Sequence, residues 1–225
     1  MRPGWIVAPA GLALAWVLFC AGRTAADDAV AVLDERFGIR TAPILLLARP
    51  DVQLELHLDP KQVAGARSTL ARLLEEALQL KDQSGPAVAA RRRFIDEEMT
   101  QWLVLNLAKD QLARLRQIDL QWEGPAAMSR PFVAEYLQLT DTQRLTVDRL
   151  LAAHRQAYRA RGRLTAAERE TFSRQALSVL SPAQRELWDR LLGPPCRWTI
   201  GGQAAGARTT PRPPGLAGQP PRARE

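Results

Sequence analysis

Two stretches of this chain say nearly the same thing. RPDVQLELHLDPKQ at residues 49–62 and RPFVAEYLQLTDTQ at residues 130–143 lie at a constant offset of 81 and share Arg, Pro, Val, Leu, Leu and Gln at six of fourteen positions. A second echo follows each: Leu107 and Gln111 match Leu180 and Gln184 at an offset of 73. Such self-similarity means one supersecondary unit used twice. Each copy is expected to be two Leu-x-x-x-Gln signals separated by a helical hairpin, copy one over residues 43–124 and copy two over residues 125–198. The eight-residue change in offset is expected in the loop at the hairpin tip.

The apolar periodicity says what the unit is made of. Ala66, Leu70, Leu73, Ala77 and Leu80 form one stripe at helical spacing, and Val147, Leu151, His154 and Tyr158 form another. Ile95, Met99, Trp102 and Asn106 mark a third helix, Leu112, Leu115 and Ile118 a fourth, and Phe172, Ala176 and Val179 a fifth. No strand pattern survives. Gly85-Pro86, Gly124-Pro125 and Gly193-Pro194 punctuate the pattern, because neither residue suits a helix interior. The fold class is all-α.

The repeated signal has a local explanation. A Ser or Thr followed three residues later by Gln or Glu is a capping box, in which hydroxyl and side-chain carbonyl each satisfy an orphan amide at a helix start. Thr140 with Gln143, Ser181 with Gln184, and Thr165 with Glu168 fit it, and Asp59 with Gln62 fits with Asp as the cap and Pro60 as the first helical residue. Ala108 with Gln111 does not, since Ala has no acceptor.

The two ends read differently. MRPGWIVAPAGLALAWVLFCAGRTAADD has the charge, apolar run and small residues of a secretory signal over residues 1–26. Its apolar run is shorter than the roughly 20 residues that span a bilayer, so no stable membrane span is expected after cleavage. Residues 27–42 form a lead-in, and residues 199–225, rich in Gly, Pro and Arg, are expected to be disordered. A chain of this kind is placed in the periplasm or outside the cell.

The formal charge of +7 invites a nucleic-acid reading until it is divided. Between Asp27 and Ile200 stand 25 basic and 23 acidic residues, and the single basic run, Arg91 to Arg93, reads as a solvated helix start. Binding to many phosphates needs a concentrated basic face, so nucleic acid is not an expected partner. After signal removal Cys196 is the lone cysteine, which leaves stability to packing.

Catalytic and metal chemistry find little material. His57 and His154 are the only histidines and lie on different copies, and no Gly-x-Ser-x-Gly accompanies them. Glu75-Glu76 and Asp96-Glu97-Glu98 read as solvent faces of helices. Trp102, Trp122, Trp188 and Trp198 read as core or inter-copy contacts, with exposure left open for Trp198 near the chain end. No enzyme activity, cofactor or metal is expected.

Paired Leu-Thr-x-x-Gln signals around a long amphipathic hairpin, VLSPAQRELW as the second of them, and an export signal together resemble the Spy/CpxP family of periplasmic stress proteins. The motif positions are Leu139, Thr140, Gln143, Leu180, Ser181 and Gln184 in copy two, and Leu58, Asp59, Gln62, Leu107 and Gln111 in copy one. The family has one motif pair per chain where this chain has two. The resemblance implies an all-helical cradle that binds unfolded or partner polypeptides on an amphipathic surface without nucleotide or metal. An adaptor docking one folded envelope partner is the alternative, and a metal or redox stress sensor the third. The duplication allows either a monomer with internal pseudo-symmetry or a homodimer.

Overall fold

Proline sets the rhythm of this fold. In the computed structural model, which describes residues 41–80, 83–200 and 203–204, six of the nine α-helices start on Pro, where the missing N–H would have had no intrahelical partner. The first half runs α1 (Pro43–Leu46), α2 (Pro50–Glu55), α3 (Pro60–Gln79), α4 (Pro86–Asn106) and α5 (Lys109–Glu123). The second half runs through a 3₁₀ helix (Gly124–Ser129), α6 (Pro131–Tyr136), α7 (Asp141–Arg161), α8 (Ala166–Ser178) and α9 (Pro182–Leu192). The architecture is all-α. No helix among the described residues is long and apolar enough to cross a membrane.

The 81-residue echo has a structural counterpart. Arg49 and Arg130 each hold extended backbone before a six-residue helix. Each of those helices ends through a left-handed residue, His57 at φ 50° and Gln138 at φ 53°. The next amide then turns back, Leu58 N–H onto Gln53 carbonyl at 3.0 Å and Leu139 N–H onto Ala134 carbonyl at 2.9 Å. This is the helix stop usually given to Gly. Non-glycine residues hold it in both places, at a cost of roughly 1–2 kcal/mol each.

The long hairpins bury the predicted stripes. Ala66, Leu70 and Leu73 on α3 face Ile95, Met99 and Leu103 on α4, and Val147, Leu151 and His154 on α7 are buried likewise. The two helices pack closely at Gly65, where an added Cβ would stand 3.2 Å from the Trp102 ring. The two hairpins differ in one place that the sequence reading misplaced. Their connecting loops are of similar length, and the returning helix carries the difference: α4 has 21 residues and α8 has 13. The offset of 73 aligns their C-terminal ends, so the extra two turns of α4 lie at its tip end.

The chain end also differs from expectation. Cys196 and Trp198 are buried in the core of the first half, and Trp198 meets Trp122 edge-on with ring centroids 5.1 Å apart. Trp198 is therefore a core residue. Just beyond it Thr199–Ile200 pairs antiparallel with Gln203–Ala204, a two-residue ladder within the segment expected to be disordered. The expected signal, the lead-in up to residue 40 and the tail beyond residue 204 lie outside the described residues.

The halves are interleaved at α5. Leu115, Ile118 and Trp122 belong to the first core, while Leu120 belongs to the second with Met128, Leu137, Trp188 and Leu192. Between these faces Gln121 is buried and holds the returning chain. Its amide donates to the Leu192 and Pro194 carbonyls at 2.6 and 2.8 Å and its oxygen accepts from Cys196 N–H at 2.7 Å. The Gly124-Pro125 joint is itself helical and packed, with Pro125 through Met128 buried.

Candidate functional site

Four glutamines sit where the motifs predict, and each does more than start a helix. In the second half, Gln143 and Gln184 carry out the predicted capping: Gln143 N–H donates to Thr140 Oγ1 at 3.2 Å, and Thr140 N–H donates to Gln143 Oε1 at 3.0 Å. Ser181 and Gln184 repeat this at 3.3 and 2.9 Å, and Thr165 with Glu168 forms the third box. Asp59 caps α3, its Oδ1 accepting from Lys61 and Gln62 amides at 2.7 and 2.8 Å. Ala108 supplies no acceptor, yet Ala108 N–H still donates to Gln111 Oε1 at 2.9 Å, half of a box.

The amide nitrogens then reach across. Gln143 Nε2 donates to Gln184 Oε1 at 2.8 Å and Gln184 Nε2 donates back to Gln143 Oε1 at 3.1 Å. Gln62 and Gln111 form the same reciprocal pair at 2.9 and 3.2 Å. Each nitrogen has a second acceptor at the end of another helix. Gln62 donates to Asn106 carbonyl, Gln143 to Val179 carbonyl, Gln111 to Leu56 carbonyl and Gln184 to Leu137 carbonyl, between 2.8 and 3.1 Å. Each node therefore ties four helix ends, two orphan N–H termini and two orphan C=O termini, through one pair of amides.

This geometry explains the residue type. Capping alone needs an acceptor, which Glu supplies equally well, and Glu168 does so at Thr165. The four node positions need an acceptor oxygen and two donor hydrogens on one side chain, which only an amide offers. The motif leucines serve the same places: Leu107, Leu139 and Leu180 are buried and Leu58 is half-buried.

Where the halves meet, two arginines at equivalent positions take different partners. Arg49 is almost fully buried, forks onto Asp51 at 3.0 and 2.7 Å, and lies over the Trp122 and Trp198 rings at 5.1 and 5.8 Å. Arg130 donates to Asp119 and Glu123, both at 2.6 Å. Burial works to lower the Arg130 pKa, but the hydrogen bonds and charges of those carboxylates outweigh it and hold the pKa above the usual value.

The titratable candidates are scattered. His57 is exposed in its left-handed turn, while His154 is buried and stacked on Phe172 at 4.1 Å. Burial, assisted by the Glu55 and Asp51 carboxylates, pushes the Cys196 thiol up to about 11. A thiol held protonated is a poor nucleophile. Arg91 and Arg93 are exposed as their run suggested, Arg91 pairing with Glu76, while half-buried Arg92 donates to Leu80 and Gln83 carbonyls at 2.7 and 3.2 Å just after α3.

Sequence reasoning missed one group of residues. Leu54, Phe94, Val104, Leu105, Phe132, Tyr136 and Leu145 are the exposed large apolar side chains among the described residues, from 44% to 75% accessible, and Phe94 lies under Arg91 away from the nodes. Five of them stand within two residues of a residue whose backbone carbonyl or side chain joins a glutamine node, and Phe132 lies one turn before Tyr136 on α6. The signal was present in the run Leu103-Val104-Leu105, which is too apolar for one buried stripe of a helix.

Comparison of the chain with protein-family models, with curated proteins and with solved structures finds no match.

Proposed function

We propose that this is an exported helical protein, similar to the Spy/CpxP family, that binds non-native or partner polypeptides on an apolar surface beside its glutamine nodes, without nucleotide, metal or covalent chemistry. The observation that supports it is the set of exposed apolar side chains at both nodes. Exposed apolar side chains that gather into one patch mark interaction surfaces, and the placement of these beside the nodes supports such a patch. The recurrence of elements, left-handed stops and glutamine pairs at offsets of 81 and 73 supports a tandem origin. Cross-packing of Trp198 and Leu120 supports a single pseudo-symmetric monomer.

The test is suppression of aggregation. Substoichiometric mature protein is expected to suppress aggregation of several unrelated clients, and Leu54→Ser, Leu105→Ser and Tyr136→Ser together are expected to abolish this while leaving helicity intact. Suppression of none, with one stoichiometric envelope partner recovered instead, would establish the adaptor reading. Suppression untouched by the three substitutions would place the client surface elsewhere.

A further inference from the structure

The tip of the second hairpin carries charge that the fold does not use. From Arg149 through Arg163 the chain has five arginines and no acidic residue. Arg161 is paired with Glu168 across the turn. Arg155, Arg159 and Arg163 are exposed and make no hydrogen bond or ion pair among the described residues. Arg155 and Arg159 stand one turn apart, about 6 Å along the helix axis, on adjacent positions of α7, and Arg163 follows beyond its left-handed stop at Gly162.

Stability does not account for this arrangement. Cations in a last helical turn are favoured by the helix dipole, which covers Arg159 and Arg161 but neither Arg155 nor Arg163. Like charges four apart work against the helix. The first hairpin shows that the architecture needs no such face: at the offset of 81 the aligned positions are Leu74, Leu78 and Asp82.

We infer that the tip of the α7–α8 hairpin docks onto an anionic phospholipid surface, its three unpaired arginines facing lipid phosphates. Guanidinium groups suit phosphate oxygens because their planar fork donates two hydrogen bonds at once. The choice of a bilayer over a protein rests on what surrounds the charges. None of the exposed large apolar residues falls between Arg149 and Arg163, so the tip has no apolar anchor of the kind that dominates protein interfaces. A bilayer presents many phosphates in one plane, and each basic residue near such a surface is attracted by about 1 kcal/mol.

The experiment is co-sedimentation of the mature chain, residues 27–225, with phosphatidylglycerol-containing vesicles and with phosphatidylcholine vesicles, at low and high salt. Binding only to the anionic vesicles, weakened by salt, is expected. The variant R155Q/R159Q/R163Q is expected to bind on the order of a hundredfold more weakly, from the contribution of each basic residue near a charged membrane. The variant R67Q/R93Q/R116Q removes the same charge from other exposed helix positions and is expected to bind as the parent does. Far-ultraviolet circular dichroism establishes that both variants keep the parent's helicity. Absence of vesicle binding, equal loss in both variants, or binding retained by the tip variant through the tail arginines would each overturn the inference. Capture of polyglutamate without capture of vesicles would also overturn it, assigning the tip to an acidic protein.

Discussion

Gln184→Ala is the most informative single perturbation of the nodes. The side chain accepts from Ser181 N–H at 2.9 Å and from Gln143 Nε2 at 2.8 Å, and donates to Leu137 carbonyl and Gln143 Oε1, each at 3.1 Å. Water replaces the exposed Ser181 bond cheaply. Leu137 is fully buried, so its carbonyl is left poorly served, and Gln143 loses its reciprocal partner. At about 1 kcal/mol per exchanged bond and more for a stranded acceptor, the cost should be roughly 2–3 kcal/mol. Urea unfolding reads this as a lowered midpoint at unchanged slope.

The stronger test of the node is a cycle with Gln143→Ala. If the two amides act only as separate caps, residues 41 apart in sequence have no reason to couple, and their effects should add. If they are cross-linked as found, the double variant should be less destabilised than the sum by about 1 kcal/mol, because the shared pair is lost once rather than twice. Gln184→Glu separates cap from cross-link. The carboxylate keeps the acceptor for Ser181 but faces Gln143 Oε1 and Leu137 carbonyl, so its pKa is raised in the folded state. Stability should then be greatest at acid pH and fall as pH rises through that pKa. Additive effects with no such pH dependence would refute the cross-link.

Four other outcomes are expected. Thr140→Ala should cost about 1 kcal/mol as a lost cap, and Leu139→Asp considerably more by forcing a charge into a buried site; thermal unfolding measures both, and equal negligible effects would refute the capping account. Because the folded state raises the Cys196 pKa from 9.0 to about 11, its stabilising contribution should be complete below pH 9 and lost as pH rises through 11; comparing urea midpoints of the parent and Cys196→Ala across that window reads it. Trp198→Ala should cost about 3–5 kcal/mol, as for other large buried aromatics, where an exposed Trp would cost little; unfolding followed by the fluorescence of the remaining tryptophans measures it. Residues 27–200 should run as a monomer in light scattering, whereas either half alone should associate or fold poorly, since the first half would lose Trp198 from its core and the second would lose Leu120.

Much of this molecule is legible in its sequence. Helix class, stripe positions and helix starts follow from short-range physics: apolar spacing, a hydroxyl three residues before a Gln or Glu, a Pro that forfeits nothing at the first helical position. Such terms act within one or two turns, so Thr140, Ser181 and Thr165 could be assigned from their neighbours alone. The echoes at offsets of 81 and 73 were visible too, because similar local rules leave matching letters.

What only the tertiary structure decided is how partners distant in sequence are used. Gln111 sits without a hydroxyl cap and looked like the weak member of the set, yet its amide completes a node through Leu56 carbonyl and Gln62, 55 and 49 residues away. No local pattern encodes a donor's distant acceptor. The same holds for Trp198: a Gly- and Pro-rich end left core and exposure both open, while Arg49, Trp122 and Gln121 draw the chain back into the core of the first half. The extra turns of α4 were misplaced for a related reason, since an insertion that preserves helical periodicity extends a helix without leaving a turn signal. Sequence specified which side chains could cap and which faces had to be buried. Packing chose which amide met which carbonyl, because that depends on the relative placement of helices whose contacts are long-range.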